Sequence, residues 1–571
     1  MRRLVSSPLV WAFMAVMAWT AASPTLRAWP VEPVSGADTP EAPSATAARP
    51  DDEVEASLQK GLDQERKRNW AGAIDTYRKS LERWPSRAEF SRRLRLCELH
   101  FKLARRYQDA SFRNVLLKLP TEQATELYAE VLERIQAHYV DPVPLEPLVR
   151  HGLDNLEVAL RDPNFLRINV GEPAPQRVAW LREQLRERRA HLAVADRSVA
   201  ARCALDACDL ARQALDMAAT PVLLEFTCGA CDALDDFTSY LTPDKLEDLY
   251  AMIDGNFVGL GIELKSDPQG LRLVGVIRGG PAWEAGLIVG DRIAGVAGQA
   301  VKGLSLDEAA NRLQGAEGTT IDLEILKKTG EHRSIRLVRR HVDVESITRA
   351  KIIDPADGIG YVQLTGFQKT STEELDQAIS GLQALGMRTL VLDLRGNPGG
   401  LLNVAVEIAD RFLDEGVIVS TRGRASGQTQ VLRAGGRPRW RMPMYVLVDH
   451  DSASASEILA GALQDHRRAV IVGERSYGKG SVQSIFSLRS APAGLKLTTA
   501  KFYSPTNRPY SEQGVSPDLP VKARIAAKPA ADSSSKDDED GPNDAALGDP
   551  SLDPVLAAAV RASRGGSQAA R

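Results

Sequence analysis

The spacing of apolar positions changes along the chain. From residue 53 onward, and again over Thr121–His138, apolar residues recur at the spacing of an amphipathic helix. Further on, Ile359–Phe367 reads as a strand, Thr372–Leu385 as a helix and Thr389–Leu394 as a second strand. Alternating strands and helices are typical of an α/β core. The pattern therefore predicts a helical first part followed by an α/β core.

The N-terminal stretch Met1–Ala28 has the layout of a secretory signal. Arg2 and Arg3 supply positive charge, and Leu9–Ala22 is an uncharged run of fourteen residues, too short to span a membrane comfortably. Small residues near Ala21–Ser23 offer a cleavage site. We expect an exported protein of the periplasm or cell envelope, attached to a membrane only if this signal stays uncleaved. Residues 29–52, rich in Ala and Pro, then form a linker.

Composition narrows the class of protein. The 571 residues suffice for three or four domains, and 43% hydrophobic with 26% charged residues is typical of a globular chain. A net charge of −3 gives no argument for a nucleic-acid partner.

Residues 53–120 are spaced like a tetratricopeptide repeat, a helix-turn-helix unit. The positions that match are Gly61, Ala73, Tyr77 and Pro85. Trp70 is expected to mark the turn, and 89–109 to form a further helical hairpin. The region is either a docking module for an adaptor protein or a helical pair packed on the rest of the chain.

The five cysteines allow three interpretations. Cys203 and Cys208 are five positions apart, and Cys228 and Cys231 form C-x-x-C, while Cys97 is left over as a buried thiol. Export favours disulfides over the alternatives, which are free core thiols or a zinc site. The segment 161–227 around these cysteines is rich in Arg and Ala, and we expect it to be helical.

The strongest candidate chemistry lies between Ser452 and Gln483. A small-residue turn, Ser452–Ser456, precedes an amphipathic helix, and Lys479 stands between two glycines after an apolar strand. A serine needs a base to become a nucleophile, and a lysine in a dry site can be that base because burial lowers its pKa. Ser454 also lies where free backbone amides at a helix start could hold an oxyanion.

Other interpretations of this stretch stay open on chemistry alone. Serine-rich turns before helices are usually N-caps. Gly473–Gly480 is one residue short of a phosphate-binding P-loop, but Gly480 replaces the required Ser or Thr, and a strand-like pattern follows. His450 could pair with a serine, although it stands at a strand end.

Three separated motifs resemble the carboxy-terminal processing proteases, also called tail-specific proteases. They are S-A-S-A-S-E at 452–457, G-K-G-S-V-Q at 478–483, and L-T-T-A-K-F-Y-S-P at 497–505 followed by G-V-S-P-D at 514–518. The resemblance implies Ser454 as nucleophile, Lys479 as base and Gln483 as the amide that orients the lysine. It also implies, through R-G-N-P-G-G at 395–400, an oxyanion hole made by Gly399 or Gly400 with Ala455.

Residues 256–341 resemble a PDZ domain, which binds an extended C-terminus as an added strand. The segment Gly280–Ile293 carries the corresponding motif, and Leu306–Leu313 fits the helix beside the peptide groove. The resemblance assigns binding of the substrate tail to a glycine-containing loop: Val258, Gly259, Leu260 and Gly261.

We therefore expect a multidomain α+β protein with a helical, TPR-like region, a PDZ domain and a protease core of the ClpP/crotonase type. The expected segments are a signal at 1–28, a linker at 29–52, a TPR-like region at 53–120, a helical region at 121–250 with its insertion at 161–227, a PDZ domain at 251–341 and a protease core at 342–522. A disordered tail is expected at 523–571, with room for a short helix at Pro554–Ser563. The expected activity is that of a serine endopeptidase without metal or cofactor, cleaving proteins presented by their free, unstructured C-termini. A non-catalytic PDZ and TPR-like scaffold is the alternative.

Overall fold

The computed structural model describes residues 50–267, 270–302, 312–522 and 548–569. Within them the chain forms two compact units. The helical unit comprises residues 50–132 and 144–234, and the sheet unit comprises residues 133–143 and 235–569. The predicted signal at 1–28 lies outside the described residues, as does nearly all of the linker.

The helical unit is built from α-helices and one short 3₁₀ turn at Leu116–Lys118. The helices are α1 (Pro50–Arg66), α2 (Trp70–Arg83), α3 (Ala88–Gln108), α4 (Ala110–Asn114), α5 (Thr121–His138), α6 (Leu145–Ala159), α7 (Pro163–Asn169), α8 (Pro175–Ala190), α9 (Arg197–Leu215) and α10 (Ala219–Asp232). Helix α5 has the bounds expected from its apolar spacing, and it ends in the sheet unit. The segment 161–227 is helical.

The first two helices form the helix-turn-helix that the repeat spacing predicts. Gly61 lies against the ring of Tyr77, where an added Cβ would come within 2.3 Å of the ring carbons. Trp70 begins the second helix and does not mark the turn, because the Asn69 side chain caps that helix by accepting from the N–H of Gly72. The hairpin expected over 89–109 is also wrong. That segment contains neither Gly nor Pro, and it continues as the single helix α3.

The cysteines are free thiols, so the expectation of structural disulfides is wrong. Cys203 and Cys208 lie on α9, where a separation of five residues places side chains on different faces of a helix. Cys228 and Cys231 are both buried on α10, and burial raises the pKa of Cys228 to about 12. No group of cysteines close enough to hold a metal occurs in the described part of the chain.

In the sheet unit, β1 (Ser239–Leu241) and helix α11 (Pro243–Asp254) precede an antiparallel domain over 256–343. Its strands are β2 (Asn256–Gly259), β3 (Ile262–Asp267), β4 (Gly270–Val276), β5 (Arg292–Val296), β6 (Gln299–Ala300), β7 (Thr320–Leu326), β8 (His332–Val338) and β9 (Arg340–Asp343), with the short helix α12 (Pro281–Glu284). Strands β3, β4, β5, β7 and β8 form one sheet in that order, and β2 pairs with β9. Most of the expected helix at 306–313 lies outside the described residues.

The expected tail-binding loop is shorter than predicted. Val258 and Gly259 belong to β2, where they pair with His341 and Arg340 of β9. The turn that follows consists of Leu260, which is buried in the core of the domain, and Gly261, whose φ is +73°.

A six-stranded sheet forms the centre of the sheet unit. Its order is β10 (Ile347–Asp354), β11 (Ile359–Leu364), β12 (Thr389–Asp393), β15 (Met444–Val448), β16 (Val470–Gly473) and β19 (Leu519–Pro520). The strands from β11 onward are parallel, and β10 is antiparallel to its neighbour. Helices α13 (Ser371–Ala384), α14 (Leu402–Asp410) and α15 (Ala455–Asp465) share a core with one face of this sheet.

The other face of the sheet is covered by the C-terminal helix α16 (Pro554–Ala569). Val555, Leu556 and Ala559 pack there against side chains of β11, β12, β15 and β16. The expectation of a disordered tail is therefore wrong for 548–569, because this segment carries enough apolar side chains to cover a sheet face. Residues 523–547 lie outside the described part of the chain.

A second, antiparallel sheet completes the sheet unit. It contains β1, β13 (Val417–Gly423), β14 (Gln430–Arg433), β17 (Ser481–Ser487) and β18 (Gly494–Tyr503). None of the described helices combines the length and the apolar character needed to cross a membrane.

Candidate active site

Ser454 occupies a strained position between strand β15 and helix α15. Its φ is 56° and its ψ is −109°, a combination that residues other than glycine rarely adopt. The residue is 6% exposed. Strain of this kind persists only where the surroundings enforce it, and it is concentrated at functional sites.

The two neighbouring serines have structural hydrogen bonds. The Ser452 hydroxyl donates to the carbonyl oxygen of Leu394 at 2.8 Å, and the Ser456 hydroxyl donates to that of Asn397 at 2.9 Å. Both hydroxyls therefore hold the serine turn (Ser452–Ser456) against the loop that follows β12, which we call the glycine loop (Arg395–Gly400). This structural role distinguishes them from the hydroxyl of Ser454.

Glu457 joins the serine turn to the lysine loop, which is the segment 474–480 between β16 and β17. Its Oε2 accepts from the N–H of Ser454 at 2.7 Å and from the N–H of Lys479 at 2.9 Å. Its Oε1 accepts from the Ser476 hydroxyl and from the N–H of Gly478, both at 2.6 Å. Burial raises the pKa of this carboxyl above its ordinary value, while the four donors favour the charged form.

Lys479 is buried, with 6% of its surface exposed. Loss of solvation, followed by the positive charge of Lys496, lowers its pKa to about 7, while Glu457 and Asp235 act in the opposite direction. Its Nζ lies 4.6 Å from the centroid of the Phe237 ring. A large fraction of this amine is therefore neutral near pH 7, and the neutral amine can accept a proton.

Gln483 lies on β17 with its side chain buried. Its Nε2 donates to the hydroxyls of Ser481 at 3.0 Å and Thr498 at 3.3 Å. Its Oε1 is buried and has no hydrogen-bond partner among the described residues. This side chain thus keeps one acceptor available inside the site.

The glycine loop lies directly beside the serine turn. An added Cβ on Gly399 would come within 2.7 Å of the Ala453 oxygen and 3.0 Å of the Ser454 Cβ. The N–H of Gly399 already donates to the Asn397 side chain at 2.8 Å. The N–H groups of Gly400 and Ala455 have no acceptor within the described ranges.

Of the two glycines expected at an oxyanion hole, Gly400 has the N–H without an acceptor among the described residues, whereas the N–H of Gly399 is engaged by Asn397. The oxyanion hole itself stays a prediction. Sequence reasoning missed Asn397, which is fully buried and also donates to the Leu364 oxygen at 2.8 Å. Its place within R-G-N-P-G-G was the signal available.

Of the three other interpretations of this stretch, the N-cap is correct, since Ser454 is the N-cap residue of α15, and the remaining two fail on geometry. Residues after Gly480 form strand β17, whereas a P-loop requires a helix there. His450 is 69% exposed, and its Nε2 lies 3.4 Å from Asp451 Oδ2. An imidazole exposed to solvent in this way is not held in place as a base for Ser454. Asp449 lies close to both of these side chains and is half-buried. Its carboxylate accepts from the N–H and the hydroxyl of Ser452 and so caps the turn there.

Comparisons with known proteins identify the family. The sequence model of Peptidase family S41 matches residues 358–521, and that of the PDZ domain matches residues 272–327. The carboxy-terminal-processing protease of Bartonella bacilliformis is 39% identical over 308 residues, which are 52% of this chain and 69% of the relative. The carboxyl-terminal-processing protease of Synechocystis is 37% identical over 293 residues, which are 50% of this chain and 68% of the relative.

Among solved structures, the photosystem II D1 C-terminal processing protease is similar at 27% sequence identity. The match covers 70% of this chain and 93% of that one, with a TM-score of 0.37. The family expected from the motifs and the expected fold class are confirmed. This chain belongs to the carboxyl-terminal processing proteases, the PDZ-bearing serine peptidases of family S41.

Proposed function

We propose that this protein is an exported endopeptidase that uses Ser454 and Lys479 as a catalytic dyad and receives substrates by their C-termini. The observation that carries the proposal is the buried Lys479, whose pKa is about 7 and whose backbone is joined to that of Ser454 through Glu457. A lysine with its ordinary pKa would be almost fully protonated at neutral pH and could not act as a base.

These groups can carry out the first step of the reaction, in which Ser454 is acylated. The Ser454 oxygen attacks the carbonyl carbon of the scissile peptide bond while the neutral amine of Lys479 takes the hydroxyl proton. The carbonyl oxygen becomes an oxyanion, which the N–H groups of Ala455 and Gly400 are available to bind. When the tetrahedral intermediate collapses, the C–N bond breaks and Lys479 returns its proton to the leaving amine.

Deacylation repeats this chemistry with water. Lys479, neutral again, takes a proton from a water molecule that attacks the acyl ester on Ser454. The ester C–O bond breaks, the serine oxygen regains a proton from Lys479, and the carboxylate product leaves. Gln483 supports both steps because its free Oε1 can accept from the Lys479 amine and hold it in one orientation.

The substrate's free C-terminus would bind to the PDZ domain. The turn at Leu260–Gly261 is where a terminal carboxylate would meet backbone amides, since Gly261 adopts a positive φ there. A tail added as a strand would gain main-chain hydrogen bonds, and its side chains would carry the selectivity. Docking of an adaptor on the helical unit, and export by the segment 1–28, stay predictions.

The test is digestion of a model protein that ends in an unstructured apolar C-terminus. Wild type should cleave it, Ser454→Ala and Lys479→Ala should not, and Gln483→Ala should keep partial activity because it orients the amine and does not react. Ser452→Ala serves as the matched control. It removes a hydroxyl two positions away, so it should lower stability while retaining cleavage. An active Ser454→Ala beside an inactive Ser452→Ala would overturn the assignment.

A further inference from the structure

Arg395, the first residue of the glycine loop, is held between two carboxylates. Its Nε donates to Asp393 Oδ1 at 2.9 Å and its Nη2 to Asp393 Oδ2 at 2.6 Å. On the other side, its Nη1 donates to Asp553 Oδ1 at 3.1 Å and its Nη2 to Asp553 Oδ2 at 2.6 Å. All three side chains are largely shielded from solvent. Paired bonds of this type fix the guanidinium plane as well as its position.

Asp553 belongs to the C-terminal segment and starts its helix. The same Oδ1 accepts from the N–H groups of Val555 and Leu556, both at 3.0 Å, and so caps helix α16. That helix lies outside the residues that match the family model. One carboxylate therefore connects the end of the chain to a loop beside Ser454.

The remainder of the glycine loop is anchored to the serine turn. The N–H of Gly396 donates to Asp449 at 3.0 Å, and the Asn397 carbonyl oxygen accepts from the N–H of Ala453 at 3.0 Å. With Arg395 also fixed, little freedom remains for Gly400, whose N–H is available to bind an oxyanion. A displacement at Arg395 would therefore be transmitted to that N–H group.

We propose that Asp553 is a positioning residue for catalysis: the C-terminal helix, through the Asp553–Arg395 ion pair, holds the glycine loop in the form that binds the oxyanion. This inference rests on the proposed function, since it assigns an oxyanion role to Gly400. It makes α16 a part of the active enzyme, whereas a helix that only covered apolar surface would affect stability alone.

The helix offers a matched control at its other end. Arg564 pairs there with Asp357 at 2.7 Å and with Asp354. The Arg564 and Asp357 side chains are far more exposed than those of Arg395 and Asp553, whereas Asp354 is shielded to a similar degree as Arg395. Arg564→Gln removes one ion-pairing charge from the same helix without touching the glycine loop. Asp553→Asn and Asp553→Ser remove the charge opposite Arg395 while keeping a good N-cap residue, so that two independent variants preserve the helix start.

The experiment measures, on the full chain, kcat and KM for a peptide substrate. It also measures the affinities for a peptide boronic acid and for the same peptide as an amide. The boronic acid forms a tetrahedral adduct with a serine oxygen and places an oxygen in the oxyanion hole, whereas the amide does not. For Asp553→Asn and Asp553→Ser we expect kcat and boronic acid affinity to fall on the order of tenfold, less than the loss of a whole oxyanion donor. KM and amide affinity should stay within about twofold, and Arg564→Gln should match wild type.

Two results would overturn the proposal. One is wild-type kcat and boronic acid affinity in both Asp553 variants. The other is a parallel loss of boronic acid affinity, amide affinity and thermal stability, which would give Asp553 a merely structural role. Failure of wild type to form the adduct at Ser454 would instead reject the proposed function itself, so the two failures are distinguishable.

Discussion

Ser454 and Lys479 are joined through one carboxylate oxygen: Glu457 Oε2 accepts from the N–H of Ser454 at 2.7 Å and from the N–H of Lys479 at 2.9 Å. The proposed nucleophile and the proposed base thus belong to different elements, a helix start and a strand start, yet share one anchor. Because the anchor acts on the backbone of both residues, it fixes where their side chains begin and leaves the side chains free to react.

Replacing this carboxylate with its neutral isostere tests the anchor. In Glu457→Gln, an amide NH₂ would face N–H donors, so at least one buried hydrogen bond to a charged group is lost. We expect the free energy of unfolding to fall by about 2–4 kcal/mol. We expect kcat to fall at least about tenfold, which is 1.36 kcal/mol of barrier. Urea unfolding and steady-state kinetics measure both, with the exposed Glu415→Gln as control. Wild-type kcat in Glu457→Gln would contradict the anchoring role.

The pH profile should respond to the charges around Lys479. Lys496 lowers the pKa of Lys479, so Lys496→Met should raise that pKa, move the rise of kcat/KM to higher pH and reduce activity at pH 7. Glu457 raises the pKa of Lys479, so this pKa should be lower in Glu457→Gln. The activity that remains in this variant should therefore rise at a lower pH than in wild type. A profile that moves in the same direction in both variants would show that Lys479 does not control it.

Lys479 should reduce the stability of the fold it serves. Its folded pKa of about 7 is below the ordinary lysine value of about 10.4, so the unfolded chain binds more protons between these two pH values. Stability should therefore rise with pH across that window. Lys479→Met should be inactive yet more stable at pH 7, by on the order of 4 kcal/mol. Chemical unfolding at pH 7 and pH 9 measures this, and a destabilised Lys479→Met would contradict it.

The PDZ domain is expected to sense substrate tails. A β-branched residue at Gly261 would be strained, because φ is +73° and an added Cβ would lie 3.3 Å from the Gly280 Cα. Gly261→Val should lower kcat/KM for a tail-bearing protein about tenfold, as expected for a loss of 1.4 kcal/mol in tail binding. A short peptide that enters the catalytic site directly should be affected less.

The matched control for this variant is Gly330→Val. Gly330 also has a positive φ, +89°, but nothing lies within 4 Å of its added Cβ, so it reproduces the backbone strain away from the tail-binding turn. Equal losses in the two variants would indicate general damage to the domain. No loss in Gly261→Val, or wild-type indifference to removal of the substrate tail, would show that the domain does not sense substrates.

Short-range patterns were sufficient for much of this structure. Apolar spacing predicted helix α5 with its observed bounds, and the motif spacing selected Ser454 and Lys479, which the fold joins through Glu457. The helix prediction is confirmed because the apolar period is a local property of the chain. The catalytic roles of Ser454 and Lys479 stay predictions.

The features that sequence reasoning missed depend on distant contacts. Arg395 and Asp553 are 158 positions apart, so the sequence did not indicate their ion pair. A short helix was expected at Pro554–Ser563, but the sheet face that it covers was not. Asn397 was missed for a related reason, since its role is to occupy the N–H of Gly399. Neither fact can be inferred from composition.

The central claim is that Ser454 reacts when Lys479 is neutral. The most direct test is the rate at which a fluorophosphonate labels the purified full chain between pH 5 and 9, with the modified residue identified by mass spectrometry. We expect an adduct on Ser454 whose rate rises with pH and reaches half its maximum at about 7, and no adduct in Lys479→Met. An adduct on Ser452, or a rate on Ser454 that is independent of pH and of Lys479, would contradict it.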